Sequence, residues 1–573
     1  SLEYLLGVSQ AVASVRTSSG KDAAFMLAFA PYVTGFPYIE INAEGGEIIE
    51  VAAAEAIPGE FKDHGIRVEG LKRPDHLTGA HIFRYRARPG RQTFEKFEWT
   101  AIRALQVTVR NAPHGLSIRR IGVRTINYPV EFQGAFQCSD ALLTKLWDVG
   151  RHTALQCMHD AFEDCPGREK RQWVGDGVVH LDIAEAAFGP SAFPLGRQFL
   201  VHVAESQRAD GLTQMFAPGD HRENGVIIPD FTLHWIRGVS NFCALTSDID
   251  LATQLFPSVE KALHWFARQE DEHGLIANAP FWHFIEWAHV GRAGESAPIN
   301  ALYSVALGAA ARLADLVGYG PAAERYAARR DKVSEALNSR FWDATRRAYV
   351  DQVDPVTGEQ GKRVSQQTNA LMVAFSIAPK KRWREIIETI TNEDDLRFTA
   401  APPIFIQAPL FDETRHIVRA NTLYCHFLYE AMAKVGRFDL AIDHMRRFYT
   451  PMLEAGATTL WESFEPSASL CHVFSATPVY QLSRHVLGVR RIGPAAYRIA
   501  PQFCNLDQAS GVYPAADGDI AIDWRRQNGA CHIEVEAPIG VTVEITAPNG
   551  GEPVVLETEK LGGKRRIRAA FAG

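Results

Sequence analysis

The first 130 residues alternate apolar and polar positions in short runs separated by turn residues. In PYIEINAEGG, HIFRYRARPG and ALQVTVRNAPHG, β-branched, aromatic or aliphatic side chains recur at every second position. Period-two spacing places these side chains on one face of a strand, and the intervening Gly, Pro and Asn residues favour turns. The pattern predicts an N-terminal antiparallel β-sandwich over residues 1–130.

From Ser139 onwards, the apolar positions recur every three or four residues. Leu142, Leu146 and Val149 follow a Ser139 cap, and NALYSVALGAAARLADL repeats the spacing. Roughly a dozen such segments extend to residue 488. They predict six helical hairpins closed into an (α/α)6 toroid over residues 131–488, with a helical solenoid as the alternative.

Strand patterns return after residue 489, in DIAIDWRRQNGACHIEVEAP and GVTVEITAPNGG. Asn-Gly pairs between alternating runs are typical of β-hairpins. The predicted fold class is therefore a multidomain α and β protein. A central (α/α)6 toroid is flanked by N-terminal and C-terminal antiparallel β-sandwich domains, the latter over residues 489–573.

Composition narrows the possible partners. The 573 residues carry 60 Lys and Arg against 67 Asp and Glu, a net charge of −7, which argues against a nucleic-acid partner. No apolar run approaches the length that spans a bilayer, so we expect no membrane partner. The eight scattered cysteines contain no CxxC pair, so no metal site is predicted. A homo-oligomer is compatible with the sequence.

Four breaks between helical segments combine carboxylates with tryptophans: DCPGREKRQWVGDG, PDFTLHW, FWHFIEW and LWESFEPSASLCH. Indole faces pack on the C–H faces of a sugar ring, and carboxylates bind hydroxyls or transfer protons. Taken singly, each acid is more often a helix cap and each Trp more often core. Because GxSxG, HExxH, GxxxxGK[ST] and GxGxxG motifs are absent, the set favours a sugar site built on paired carboxylates.

With these segments assembled, the chain resembles the bacterial α-L-rhamnosidases of glycoside hydrolase family 78. DCPGREKRQWVGD resembles the acidic signature of that family, FIEW its Phe-Ile-Asp-Trp, and LWESF its Trp-Glu. CHVFSATPVYQLSRHVLGVR resembles the stretch that leads into the C-terminal domain of the family. The resemblance covers residues 131–573. The acidic motif is one residue shorter here than in many members, and Lys170 stands where they carry a second acid.

The resemblance implies an inverting hydrolase that removes terminal α-L-rhamnosyl groups from oligosaccharides or plant glycosides and needs no cofactor for the chemistry, while a structural metal stays open. Glu169 would be its general acid and Glu462 its general base. The remaining implied contacts bind the sugar: Asp164, Arg168, Trp173, Asp176, Trp235, Glu286, Trp287 and His472.

Two other functions stay open on the sequence. One is an (α/α)6 glycoside hydrolase with a different sugar specificity, since a fold does not determine its substrate. The other is a non-catalytic sugar-binding relative. We expect a soluble protein of the bacterial cytoplasm or periplasm. The aglycone, the preferred linkage and the role of the N-terminal domain stay open.

Overall fold

The computed structural model describes residues 12–56, 81–219, 226–399, 411–464, 469–527, 529–547 and 555–572. The chain divides into two compact units. The sheet unit comprises Ser1–Pro129, His152–Lys170 and Tyr449–Val473, and the helical unit comprises Val130–Arg151, Arg171–Phe448 and Phe474–Gly573. This division differs from the three predicted domains, because two segments of the predicted toroid belong to the unit that contains the N-terminal strands.

The sheet unit contains a seven-stranded antiparallel sheet in the order β1-β7-β2-β6-β3-β4, with β5 paired to β2. Its strands are β1 (Ala13–Val15), β2 (Ala23–Ala43), β3 (Ile48–Ala54), β4 (Ile82–Arg86), β5 (Gly90–Glu95), β6 (Thr100–Arg110) and β7 (Leu116–Thr125). The predicted N-terminal strands are thus confirmed, and their arrangement as a sandwich stays a prediction.

The long strand β2 organises this sheet. Its first half pairs with β6 and its second half with β5 and β7, with a register shift between Ala28 and Val33. In β6, the alternating pattern places Leu105 and Val107 in the core, yet Gln106 and Thr108 on the other face are also buried. Both faces of this strand are therefore buried, although the polar residues on one face predict exposure to solvent.

In the described part of the helical block there are twelve α-helices. They are α1 (Ala141–Gln156), α2 (Val174–Phe188), α3 (Phe193–Glu205), α4 (Pro229–Thr246), α5 (Ile249–Ala267), α6 (Ala297–Leu316), α7 (Gly320–Arg340), α8 (Gln366–Ala374), α9 (Lys380–Ile390), α10 (Thr422–Lys434), α11 (Phe438–Glu454) and α12 (Thr477–Gln481). The number agrees with the periodicity of the sequence.

The even-numbered helices form a closed ring. Each of α2, α4, α6, α8 and α10 contacts the next even-numbered helix, and α12 contacts α2. These helices are buried on nearly all sides, as α6 and α8 illustrate. Helix α9 instead buries a single stripe, Ile386, Ile387 and Ile390. A helix that is apolar all round packs inside, and an amphipathic helix packs outside.

Two further sheets follow the helices. A three-stranded sheet has the order β16-β17-β21, and a six-stranded sheet the order β22-β23-β20-β19-β18-β8. The strands are β8 (Ala135–Cys138), β16 (Val489–Gly493), β17 (Ala496–Ile499), β18 (Gln508–Ala515), β19 (Gly518–Gln527), β20 (Ala530–Pro538), β21 (Thr542–Ile545), β22 (Val555–Leu561) and β23 (Lys564–Ala572). Strand β8 lies in the predicted toroid segment but joins the C-terminal sheet.

Short two-residue strands connect helices within the block: β9 (Glu295–Ser296), β10 (Trp342–Asp343), β11 (Ala348–Tyr349), β12 (Gln352–Val353), β13 (Val364–Ser365), β14 (Leu396–Arg397) and β15 (Ile417–Val418). None of the helices among the described residues combines the length and apolar character needed to cross a membrane.

Candidate active site

The two predicted catalytic acids meet on one arginine within the sheet unit. The Arg168 guanidinium donates to Glu169 Oε1 through Nη1 and to Glu462 Oε2 through Nη2, the latter over 3.1 Å. Nearly 300 residues separate Glu462 from Arg168 along the chain. The fold therefore joins the acidic motif to the Trp-Glu segment.

Backbone hydrogen bonds hold these two segments together. The Glu462 N–H donates to the Ser469 carbonyl (3.1 Å) and the His472 N–H to the Leu460 carbonyl (2.9 Å). The Val473 N–H then donates to the carbonyl of Asp164 over 3.0 Å. Asp164, Glu462 and His472 are all buried. Main-chain bonds thus fix the places from which these side chains project.

Arg168 is held in its charged form. Burial by itself would lower its pKa, but the carboxylates of Glu462 and Glu169 outweigh this effect and raise the pKa further. The Arg168 side chain is 40% exposed, whereas that of Glu462 is 7% exposed. The cation therefore lies between the buried carboxylate and solvent.

The turn that presents these residues is anchored by the N-terminal strands and their loops. Lys170 has a left-handed backbone, φ 54°, which is uncommon for a residue with a side chain. Its Nζ donates to the Trp99 carbonyl (2.6 Å) and lies 4.3 Å from the centre of the Trp99 ring. His81 Nε2 donates to the Gly167 carbonyl over 2.9 Å. These contacts hold the backbone on both sides of Glu169.

Two residues of the site were missed by the sequence analysis. Glu55 follows β3 directly, and the Tyr32 hydroxyl on β2 donates to its Oε1 over 2.6 Å. The Glu55 carboxyl experiences the charges of Arg168, Glu462 and His472. A lone acid after the apolar run VAAA was the one available signal, and a strand end is an ordinary place for a charged residue.

The second half of the acidic motif belongs to the helical unit. Trp173 caps α2, and Asp176 lies in its first turn, where a carboxylate is favoured by the helix dipole. The Trp173 ring packs edge-on against Phe216, with centroids 5.0 Å apart, and Phe231. Trp287 packs edge-on against Phe284 at 4.9 Å. Both tryptophans are partly exposed, as their predicted roles at a sugar require.

Glu286 is buried, and its carboxylate lies against the first residues of α10. Its carboxylate accepts the backbone N–H groups of Asn421 and Tyr424, each over 2.8 Å, and the Gln367 side-chain amide over 2.6 Å. Burial raises the pKa of Glu286 to about 7, although the two backbone donors oppose the shift. These bonds favour an anchoring role for Glu286, and its predicted contact with substrate stays a prediction.

The predicted role of Trp235 at the sugar is wrong. The residue lies in the middle of α4 with none of its surface exposed, and its indole N–H donates to the Leu200 carbonyl over 3.1 Å. Because α4 belongs to the inner ring, its apolar side chains pack into the core. A tryptophan inside a helix cannot be told from a loop tryptophan by sequence here, and only its packing separates the two.

Among the described residues, Asp164, Cys165 and His472 place one possible metal-ligand atom each within 4.8 Å of one another. Burial raises the pKa of the Cys165 thiol well above its ordinary value, and the charge of Asp164 raises it further.

Two models of known protein families match this chain. The bacterial α-L-rhamnosidase six-hairpin glycosidase domain matches residues 131–397, and the bacterial α-L-rhamnosidase C-terminal domain matches residues 488–562. Together the two domains account for more than half of the chain. The chain belongs to the bacterial α-L-rhamnosidases, glycoside hydrolase family 78.

Individual relatives are distant in sequence. An α-L-rhamnosidase of Formosa agariphila is 22% identical over 92% of this chain, and one of Alteromonas sp. (strain LOR) is 20% identical over 91%. The chain spans about half the length of each, 55% in both cases.

Two solved structures show the same fold. The family 78 rhamnosidase of Bacillus sp. GL1 superposes with a TM-score of 0.82 at 28% identity, over 96% of this chain and 56% of that one. A rhamnosidase from Klebsiella oxytoca, with rhamnose bound, gives 0.65 at 19% identity, over 80% of this chain and 87% of that one. The mixed α and β multidomain fold is therefore that of family 78 rhamnosidases.

Proposed function

We propose that the chain is an inverting α-L-rhamnosidase that removes terminal α-L-rhamnosyl groups from oligosaccharides or plant glycosides. The observation that carries the proposal is the contact of Arg168 with both Glu169 and Glu462. Family membership supports rhamnose as the sugar. The ring of contacts between the even-numbered helices supports the (α/α)6 toroid of our proposal.

In the proposed reaction, Glu169 protonates the departing glycosidic oxygen, and Glu462 removes a proton from the water that attacks the anomeric carbon. An inverting pair needs about 6.5 to 9.5 Å between its carboxyls, so that water fits beside the sugar. The two carboxylates contact different nitrogens of the Arg168 guanidinium, Nη1 and Nη2. No cofactor takes part in these steps.

Other residues bind the sugar in this proposal. The Arg168 guanidinium and the Asp164 and His472 side chains hold its hydroxyls, and Asp176 and Glu286 are further polar ligands. Trp173 and Trp287 offer partly exposed ring faces to the C–H face and the methyl group of rhamnose. The partner is thus a rhamnose-containing saccharide or glycoside.

The test is hydrolysis of p-nitrophenyl α-L-rhamnopyranoside, with the anomer of the released rhamnose followed by proton NMR. We expect the β anomer to appear first, because water attacks from the face opposite to the leaving group. Glu169→Gln and Glu462→Gln should each lower kcat by at least about 100-fold. Glu454→Gln, an exposed acid of the same unit, is the matched control and should retain full activity.

Each alternative has its own result. Release of the α anomer first would contradict inversion, and full activity in either site variant would contradict its role. Hydrolysis of another nitrophenyl glycoside in place of the rhamnoside would favour a different sugar specificity. Saccharide binding without turnover would favour a non-catalytic relative.

A further inference from the structure

The N-terminal sheet delivers one carboxyl to the acidic motif. Glu55 follows the last residue of β3, and Tyr32 of β2 donates its hydroxyl to Glu55 Oε1 over 2.6 Å. Tyr32 is itself buried, and its backbone N–H donates to Thr458 Oγ1 over 2.9 Å. Two strands of the sheet therefore hold the Glu55 carboxyl in place.

This carboxyl lies directly on the turn of the motif. A Cβ atom added to Gly167 would come within 2.3 Å of Glu55 Oε1 and 2.4 Å of its Cδ, closer than atoms approach without a bond. A side chain at position 167 would therefore displace the Glu55 carboxyl. The next two residues, Arg168 and Glu169, form the ion pair of the site.

The surroundings of Glu55 belong to the same site. Burial raises the pKa of Glu55 and the negative charge of Glu462 adds to the shift, while the Tyr32 hydrogen bond and Arg168 oppose it. The titratable and charged groups that act on Glu55 are Tyr32, Arg168, Glu462, Cys471 and His472. Arg168 thus pairs with Glu169 and Glu462, and its charge also acts on Glu55.

Glu50 in β3 illustrates a carboxylate with a purely structural role. Glu50 is equally well placed on the strand, but it pairs with Arg84 and Arg110 of the neighbouring strands. Its partners are cations of the sheet itself. The cation that acts on Glu55 comes from the acidic motif.

We propose that Glu55 is a positioning residue of the active site, which packs against the Gly167 turn and thereby orients the Arg168 guanidinium towards Glu462. The N-terminal sheet then completes the site by orienting the cation between the two catalytic carboxyls. This inference rests on the proposed function.

The first test compares Glu55→Gln with Glu50→Gln in the full chain. Glu55→Gln keeps the size of the side chain but removes its charge. We expect kcat on p-nitrophenyl α-L-rhamnopyranoside to fall about 10- to 100-fold with KM changed less than about threefold, because the catalytic groups are misplaced. Glu50→Gln should leave both constants unchanged.

A conservative variant separates positioning from general destabilisation. Glu55→Asp retains the charge and should keep more of the wild-type kcat than Glu55→Gln does. Gly167→Ala, whose Cβ displaces the Glu55 carboxyl, should lower kcat as Glu55→Gln does.

A wild-type kcat in Glu55→Gln, with Glu462→Gln inactive, would overturn the inference and leave the proposed function intact. A crystal structure of Glu55→Gln decides the point without activity. Movement of the Arg168 guanidinium away from Glu462 supports positioning, and an unmoved guanidinium overturns it. If the wild-type chain hydrolyses no rhamnoside, the proposed function fails and the crystal structure still decides the role of Glu55.

Discussion

Two pairs of acids, one pair in each unit, are bound in different ways. In the helical unit, Glu286 accepts two backbone N–H groups and a buried amide, and Asp230 accepts the backbone N–H groups of Phe284 and Ile285. In the sheet unit, Glu169 and Glu462 meet the long side chain of Arg168. The backbone N–H donors are held in place by the fold, whereas the guanidinium at the end of a long arginine side chain can change its position.

This difference determines which carboxylates can exchange their hydrogen-bond partners. A carboxylate tied to a helix start cannot exchange its partners without loss of structure, because each freed backbone group lacks a partner. A carboxylate paired with a half-exposed guanidinium can instead share that cation with incoming hydroxyls. The kind of donor therefore distinguishes Glu462 from Glu286, although both carboxylates are buried.

The largest effect is expected at the shared cation. Arg168→Met should lower kcat/KM at least about 100-fold, because two carboxylates would then face each other without the charge that orients them. Arg168→Lys should be intermediate, since an ammonium cannot form the two-pronged contact. The measurement is steady-state hydrolysis of p-nitrophenyl α-L-rhamnopyranoside.

The control for this prediction is Arg124→Met, which removes an exposed arginine of the same unit that pairs with Glu95. It should retain activity. Equal activity in Arg168→Met and Arg124→Met would contradict the role given to Arg168.

The second effect concerns stability. Glu286→Ala should lower the free energy of unfolding by about 2 to 4 kcal/mol, because it strands the N–H groups of Asn421 and Tyr424 and the Gln367 amide. Glu462→Ala should cost less stability than Glu286→Ala while abolishing activity. Urea unfolding of both variants measures the contrast, and an equal loss of stability would remove it.

The smallest effect is a dependence of stability on pH. The pKa of Glu286, about 7 in the folded chain, lies above its ordinary value of 4.5, so protonation favours the folded state. The stability contributed by this proton is complete below about pH 4.5 and is lost as the pH rises through about 7. Glu286→Gln cannot titrate at this position.

The difference in free energy of unfolding between wild type and Glu286→Gln should therefore fall by about 1 to 3 kcal/mol between pH 4.5 and pH 7.5. Urea titrations at several pH values give this difference directly. A difference that is flat or rises with pH would show that the backbone donors outweigh burial at Glu286.

Several features were determined by the sequence itself. Period-two runs predicted the strands, three-and-four spacing predicted the helices, and the DCPGREKRQWVGD motif identified the family. These signals are local, because a strand or a helix depends on neighbours within a few residues of each position. A motif with this many characteristic residues identifies the family without knowledge of the folded chain.

Tertiary structure decided the rest. It brought Glu462 to Arg168, buried Trp235 while leaving Trp287 partly exposed, and placed Glu55 on the Gly167 turn. These outcomes depend on packing between segments far apart in the chain. The periodicity of one segment does not indicate which distant segment will pack against it. Only the folded chain therefore shows these contacts and the burial of these side chains.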